Sequence, residues 1–183
     1  MDREKTAKLF VYGTLKRGQL RGAMWPRAAV SICSAVVRGE LWDLGSYPGL
    51  TIGTDWCLGE LWSIAIDDLS VTLSVLDEIE GYCEEADSGL YLRRTIPVWY
   101  ADSLSSGISS SGISHSGISS AGSGIACEAQ TYLYEHPSRL RTARRIQPWM
   151  QCPFAIPGDS LVACWPDSSS RVPLWVGDEV DPS

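Results

Sequence analysis

The stretch VVRGELWDL, residues 36–44, has an echo at residues 57–64, CLGELWSI. Both carry the same core: Gly39, Glu40, Leu41 and Trp42 in the first, Gly59, Glu60, Leu61 and Trp62 in the second. The echo is too local for a duplicated domain and reads as two strands of one sheet. Between them, SYPGLTIG at residues 46–53 is rich in turn formers, as a chain reversal requires. Working outward, KLFVY at residues 8–12 is a short strand closed by Gly13, and residues 18–28 form a loop with a turn of helix. Downstream, YLRRTIPVWY at residues 91–100 is β-branched and aromatic, with Pro97 marking an edge or a bulge. EAQTYLYE at residues 128–135 alternates with period two.

One helix interrupts the strands. Leu69, Leu73, Leu76 and Ile79 recur at helical spacing over residues 67–80. Asp67 or Asp68 is placed to cap its start, and Gly81 to stop it. Strand content exceeds helix content, so the fold class is α+β, with strands curled or closed and the helix packed at one side.

The 183 residues are 44% hydrophobic and 20% charged, enough for one domain with a real core. A net charge of −7 argues against nucleic acid as a partner, because phosphate binding needs clustered Lys and Arg. The one basic cluster, Arg139, Arg141, Arg144 and Arg145, reads as a solvated helix face. The six cysteines form no C-x-x-C pair and there are only two histidines, so no zinc or other metal site is expected. The first ten residues, MDREKTAKLF, contain no apolar core of a secretory leader. No run approaches the roughly 18 apolar residues of a membrane helix. The expectation is a soluble cytoplasmic protein with reduced thiols and no membrane partner; the oligomeric state is not readable.

Three copies of S-G-I-S at a five-residue period occupy the region between the last two strands. Ser and Gly cannot bury enough apolar surface to offset the entropy of ordering. The expected organisation is a domain over residues 8–136, a flexible insertion at 103–125, and an unassigned extension at 137–183. The eight tryptophans are expected in core and cap. Neither histidine has a G-x-S-x-G serine or a triad partner, and no G-x-G-x-x-G or Walker loop appears.

Two features carry possible chemistry. Glu80 falls in the middle of the helix's apolar stripe, whereas Glu78 points away from it. The bland reading is an exposed last turn. The chemical reading is a partly buried carboxylate whose pKa rises through desolvation and the negative helix end, as a general base near neutral pH requires. In VYGTLKRG, residues 11–18, the amides of Gly13, Thr14 and Leu15 can converge as an anion-binding nest, against the bland reading of an ordinary turn.

VYGTLKRG, LDEIEGY followed by YLRR, and GELWDLGSYPGL together resemble the γ-glutamylcyclotransferase family, including its AIG2-like branch, over residues 10–134. The resemblance implies a small mixed barrel-like sheet with flanking helices. It implies that Tyr12, Gly13, Thr14 and Leu15 hold the substrate's glutamyl head, that Glu80 is the catalytic acid/base, and that Tyr132, ahead of Tyr134, helps to bind substrate. Tyr91 and Arg93 match a Y-x-R element taken as structural support. The implied activity is a cofactor-independent acyltransferase or lyase step on a small-molecule γ-glutamyl substrate, releasing 5-oxoproline. The alternative is a non-catalytic small-molecule-binding module that kept the fold.

Overall fold

The computed structural model describes residues 5–101, 124–158 and 161–166. In chain order the strands and helices are β1 (Thr6–Val11), β2 (Ser31–Asp43), β3 (Pro48–Ala65), α1 (Leu69–Glu80), β4 (Tyr82–Cys83), β5 (Ser88–Gly89), β6 (Tyr91–Ala101), β7 (Gly124–Tyr134), α2 (Pro137–Leu140), β8 (Arg144–Ile146), β9 (Met150–Gln151) and β10 (Leu161–Val162). The insertion expected at 103–125 lies outside the described residues except for 124–125, which already belong to β7.

The order of the main sheet is β3-β1-β7-β6-β2-β8, and β2 pairs again with β3. That extra pairing closes five strands into a barrel and covers most of the sheet's edge length. β1 runs parallel to β7, meeting it at Leu9 and Gln130, and the other barrel pairs are antiparallel, so the sheet is mixed. β3 closes the ring because it is long: its last six residues pair with β1, from Val11–Glu60 to Thr6–Ala65, while Leu61–Ser63 also face Cys33–Ser31 of β2.

The two-residue alternation of strands sorts the side chains. Phe10 and Tyr12 of the first strand and its loop point into the barrel with Ala35, Val37, Leu41, Leu61, Val98 and Ala129. Leu9 and Val11 point outward and pack with Trp62, Ile64 and Leu76 under α1. KLFVY is apolar on both sides because both of its faces are covered. The same alternation explains the repeated G-E-L-W. Leu41 and Leu61 fill the barrel, and the preceding glycines let neighbouring strands approach. A methyl group at Gly39 would lie 2.7 Å from the Thr51 carbonyl oxygen, and one at Gly59 would lie 2.4 Å from that of Val11.

Several local expectations change. The turn in residues 46–53 is shorter, because β3 already begins at Pro48, paired with Asp43. The reversal is confined to residues 44–47, where Gly45 has φ 95° and the Leu44 N–H donates to the Tyr47 carbonyl. Pro97 produces no bulge, since the β6–β7 register runs through it to Glu128. β6 meets β2 only at Tyr100 and Trp99, so around Pro97 that side of the strand is an edge. Neither Asp67 nor Asp68 caps α1 through its side chain; a 3-10 turn, Ile66–Asp68, leads into the helix, and Asp68 pairs with Arg27 at 3.2 Å.

The basic cluster is not one helix face. Only Arg139 sits in the four-residue α2; Arg144 and Arg145 lie on β8, which pairs with β2. Arg144 meets Asp43 at 2.9 Å, and Arg145 meets Asp55 at 2.7 Å and Glu40 at 3.2 Å. The chain after residue 137 also packs on the barrel through Cys152, Phe154 and Val162, which join Val36 and Trp56 in a third apolar cluster. Trp56, Trp62 and Trp165 are buried, whereas Trp149 is 44% exposed.

A side chain at Gly59 must displace the Phe10 ring, whose nearest atom would be 2.6 Å away. Gly59→Ala is expected to cost about 1–3 kcal/mol of stability, as overpacking does, read from the midpoint of urea unfolding. An unchanged midpoint would mean that β1 and β3 are not held at this spacing.

Candidate active site

Five segments meet at one end of the barrel around a small, partly open recess. The loop after β1 contributes Tyr12, Gly13, Thr14, Leu15 and Arg21; the β2–β3 connection contributes Tyr47, with Pro48 at the start of β3; α1 contributes Glu80; and β6 and β7 contribute Tyr91 and Tyr132. All six residues singled out from the sequence therefore line one concavity.

The loop is shaped by contacts on every side. Its turn closes through the Lys16 N–H to the Gly13 carbonyl at 3.2 Å and the Arg21 N–H to the Thr14 carbonyl at 2.9 Å. Glu60, from the second G-E-L-W, grips it from β3, accepting from the Arg17 amide at 2.9 Å and the Arg17 Nε at 3.2 Å. Trp25 stacks on Trp62 with ring centroids 3.9 Å apart, and its indole N–H donates to the Leu15 carbonyl at 3.0 Å. Gly13 is required for a reason other than a left-handed turn: its φ is not positive, but a Cβ there would lie 2.7 Å from Pro48. The N–H groups of Gly13, Thr14 and Leu15 donate to no other described residue, although all three residues are buried. Main-chain donors without a protein partner beside a recess can serve an anion or a carbonyl oxygen.

Glu80 faces this loop. α1 ends at Gly81, which adopts φ 67° and donates its N–H to the Asp77 and Glu78 carbonyls. Because the helix runs on to that stop, Glu80 stays on the apolar face and is only 7% exposed, while Glu78 is in solvent. Burial pushes the Glu80 carboxyl up to about 7, against a downward pull from Arg21. The Arg21 Nη1 lies 3.9 Å from the Glu80 Oε1. Burial together with the nearby Glu80 charge also raises the Tyr91 hydroxyl.

The tyrosines contribute walls more than free hydroxyls. Tyr12 donates to the Tyr132 carbonyl at 2.7 Å and accepts from the Leu50 N–H at 3.3 Å. Tyr132 donates to Asp77 Oδ1 at 2.6 Å. Asp77 also pairs with Arg93, which reaches Glu84 at 2.6 Å, so this network ties the end of α1 to β6 and β7. Tyr91 donates to the Pro48 carbonyl at 2.7 Å and lines the recess, a place its reading as structural support had not given it. Arg21 and Tyr47 were missed. Tyr47 stood in the quoted G-S-Y-P-G-L segment, whereas Arg21, in the plain run L-R-G, carried no signal.

Among the described residues, no group of three or more His, Cys, Asp or Glu side chains is placed to hold a metal ion, and no helix is long and apolar enough to cross a membrane.

A family model described as γ-glutamyl cyclotransferase, AIG2-like, matches residues 9–151. A γ-L-glutamyl-butirosin B γ-glutamyl cyclotransferase from Niallia circulans is 33% identical over 81 residues, 44% of this chain and 49% of that protein, so the match spans about half of the relative's length. Among solved structures, an AIG2-like protein from Mus musculus is similar at 20% identity and TM-score 0.49, over 74% of this chain and 82% of that one. An Arabidopsis thaliana protein is similar at 19% identity and TM-score 0.45, over 76% of each chain.

The raised Glu80 carboxyl has a measurable consequence for folding. The native state holds this proton more tightly than the unfolded chain, so the stabilisation is fully present below about pH 4.5 and is lost as the pH rises through about 7. Relative to Glu80→Gln, which cannot ionise, the wild type is expected to lose up to about 3 kcal/mol across that window. Urea unfolding of both proteins at pH 4.5, 6 and 8 checks it; a pH-independent difference would place the carboxylate in water.

Proposed function

This chain belongs to the AIG2-like γ-glutamyl cyclotransferase family, and from that premise we propose that it releases 5-oxoproline from a γ-glutamyl dipeptide or γ-glutamylamine by intramolecular aminolysis. The observation that carries the reading is a desolvated carboxylate, Glu80, set in the same small recess as three unspent main-chain donors.

The chemistry follows from that pairing. The nucleophile and electrophile are parts of one substrate, so the site's first task is to fold the glutamyl unit back on itself. Such orientation is worth about 7–11 kcal/mol when well executed. An α-amine has a pKa near 8, and a carboxylate tuned to about 7 is matched to take its proton near neutrality. The amine nitrogen attacks the γ-carbonyl carbon and a new C–N bond forms. Glu80 removes the proton from the attacking nitrogen and delivers it to the departing one. The old C–N bond then breaks, leaving the five-membered lactam and a free amine. The Gly13, Thr14 and Leu15 amides are positioned to orient the polar head of the substrate, and the rings of Tyr12 and Tyr132 to wall it in. Ring closure is redox-neutral and calls on no cofactor.

The identity of the leaving amine is a proposal of class alone: an amino acid, or a side-chain amine such as that of lysine. The Niallia circulans relative, by its name, works on a γ-glutamylated butirosin. Six free thiols support a reducing, cytoplasmic setting.

Incubation with a panel of γ-glutamyl dipeptides and γ-glutamylamines is expected to yield 5-oxoproline from at least one member. Glu80→Gln is expected to lower kcat by about 10²–10⁴-fold while remaining folded, and wild-type kcat/KM to fall on the acid side of about pH 7. Turnover by the glutamine variant at the wild-type rate would remove Glu80 from the mechanism.

A further inference from the structure

Among the described residues lining the recess, Arg21 is the one cation and Glu80 the one anion. Their contact is loose. A guanidinium present only to neutralise a carboxylate closes to about 2.7–2.9 Å in a charge-assisted hydrogen bond, yet Arg21 Nη1 stops 3.9 Å from Glu80 Oε1. The guanidinium is held back by two anchors. Nη1 donates to the Ile79 carbonyl at 3.4 Å, and the Arg21 backbone N–H is bonded to Thr14 within the loop. No acceptor among the described residues takes the other guanidinium donors. The Arg21 side chain is 34% exposed, against 9% for Glu80, so the cation lies nearer the mouth and the acid deeper.

We propose that Arg21 receives the α-carboxylate of the γ-glutamyl head, so that Arg21 and Glu80 together read the two ends of an α-amino acid. This deepens the reaction given above and rests on it. An α-amino acid carries its amine and its carboxylate on one carbon, and a cation beside an anion is the complementary pattern. With the amine at Glu80, the carboxylate falls between Arg21 and the amides of Gly13, Thr14 and Leu15. The planar guanidinium can then engage one carboxylate face while the loop amides take the remaining oxygen lone pairs. This fixes which way round the glutamyl unit lies: the amine faces the base, and the side chain curls back toward it.

The test compares one γ-glutamyl substrate from the panel with its α-carboxamide analogue on wild type, Arg21→Met and Arg21→Lys. Wild type is expected to lose about 10- to 100-fold in kcat/KM on the carboxamide, the scale of a lost charged hydrogen bond. Arg21→Met is expected to lose a similar factor on the carboxylate substrate, mainly through KM, and to discriminate little between the two. Arg21→Lys, which keeps the charge but not the fork, is expected to fall between. Equal turnover of both substrates by wild type overturns the assignment without requiring any variant to fold. So does an Arg21→Met enzyme that keeps the wild-type preference. If no panel member yields 5-oxoproline, the reaction itself fails. Calorimetric titration of wild type and Arg21→Met with L-glutamate and with its α-amide then still judges Arg21, and equal affinities for the two ligands in wild type count against it.

Discussion

The long strand β3 is shared by two neighbours, β1 along one edge and β2 along the other, and the rest of the structure depends on that double pairing. It closes the sheet into a barrel, and closure demands that strand backbones approach where a side chain would intervene. Gly39 and Gly59 stand at such places, one near Thr51 and one near Val11 and Phe10. It also brings Glu60 beneath the loop that leaves β1, where it holds Arg17 through main chain and side chain together. The loop's placement follows from how β1 and β3 are paired.

Two carboxylates three positions apart on α1 illustrate how surroundings divide labour between like groups. Asp77 meets Arg93 and the Tyr132 hydroxyl, so its charge is matched and its role is to tie the helix to β6 and β7. Among the described residues Glu80 meets only a guanidinium, at 3.9 Å, and is largely desolvated. A carboxylate left in this condition costs stability, and proteins accept such a cost mostly where a proton must be moved. The Asp77 network keeps the end of the helix in place despite it.

Much of this was legible one residue type at a time. The G-E-L-W echo announced two strands of one sheet, and β2 and β3 do pair. The Leu69, Leu73, Leu76, Ile79 spacing announced the helix, and Gly81 its stop. The Y-G-T-L loop and the misplaced Glu80 pointed to the recess. Errors arose where a residue's partner is distant in sequence. Asp68 is bound to Arg27 and does not cap its helix. Arg144 and Arg145 are strand residues paired with acids of β2 and β3. None of these pairings has a period or a spacing to betray it.

The order and type of the main strands, the one substantial helix, the acid on its apolar face and the family were determined by the sequence itself, because each depends on local propensity, on a repeating polarity pattern or on a contiguous motif. The closure of the barrel, the depth at which Glu80 is buried, the unsatisfied state of the loop amides and the arrival of Arg21 beside the acid were decided only in three dimensions. These are properties of distance and solvent exclusion between segments dozens of residues apart, and no segment encodes them alone.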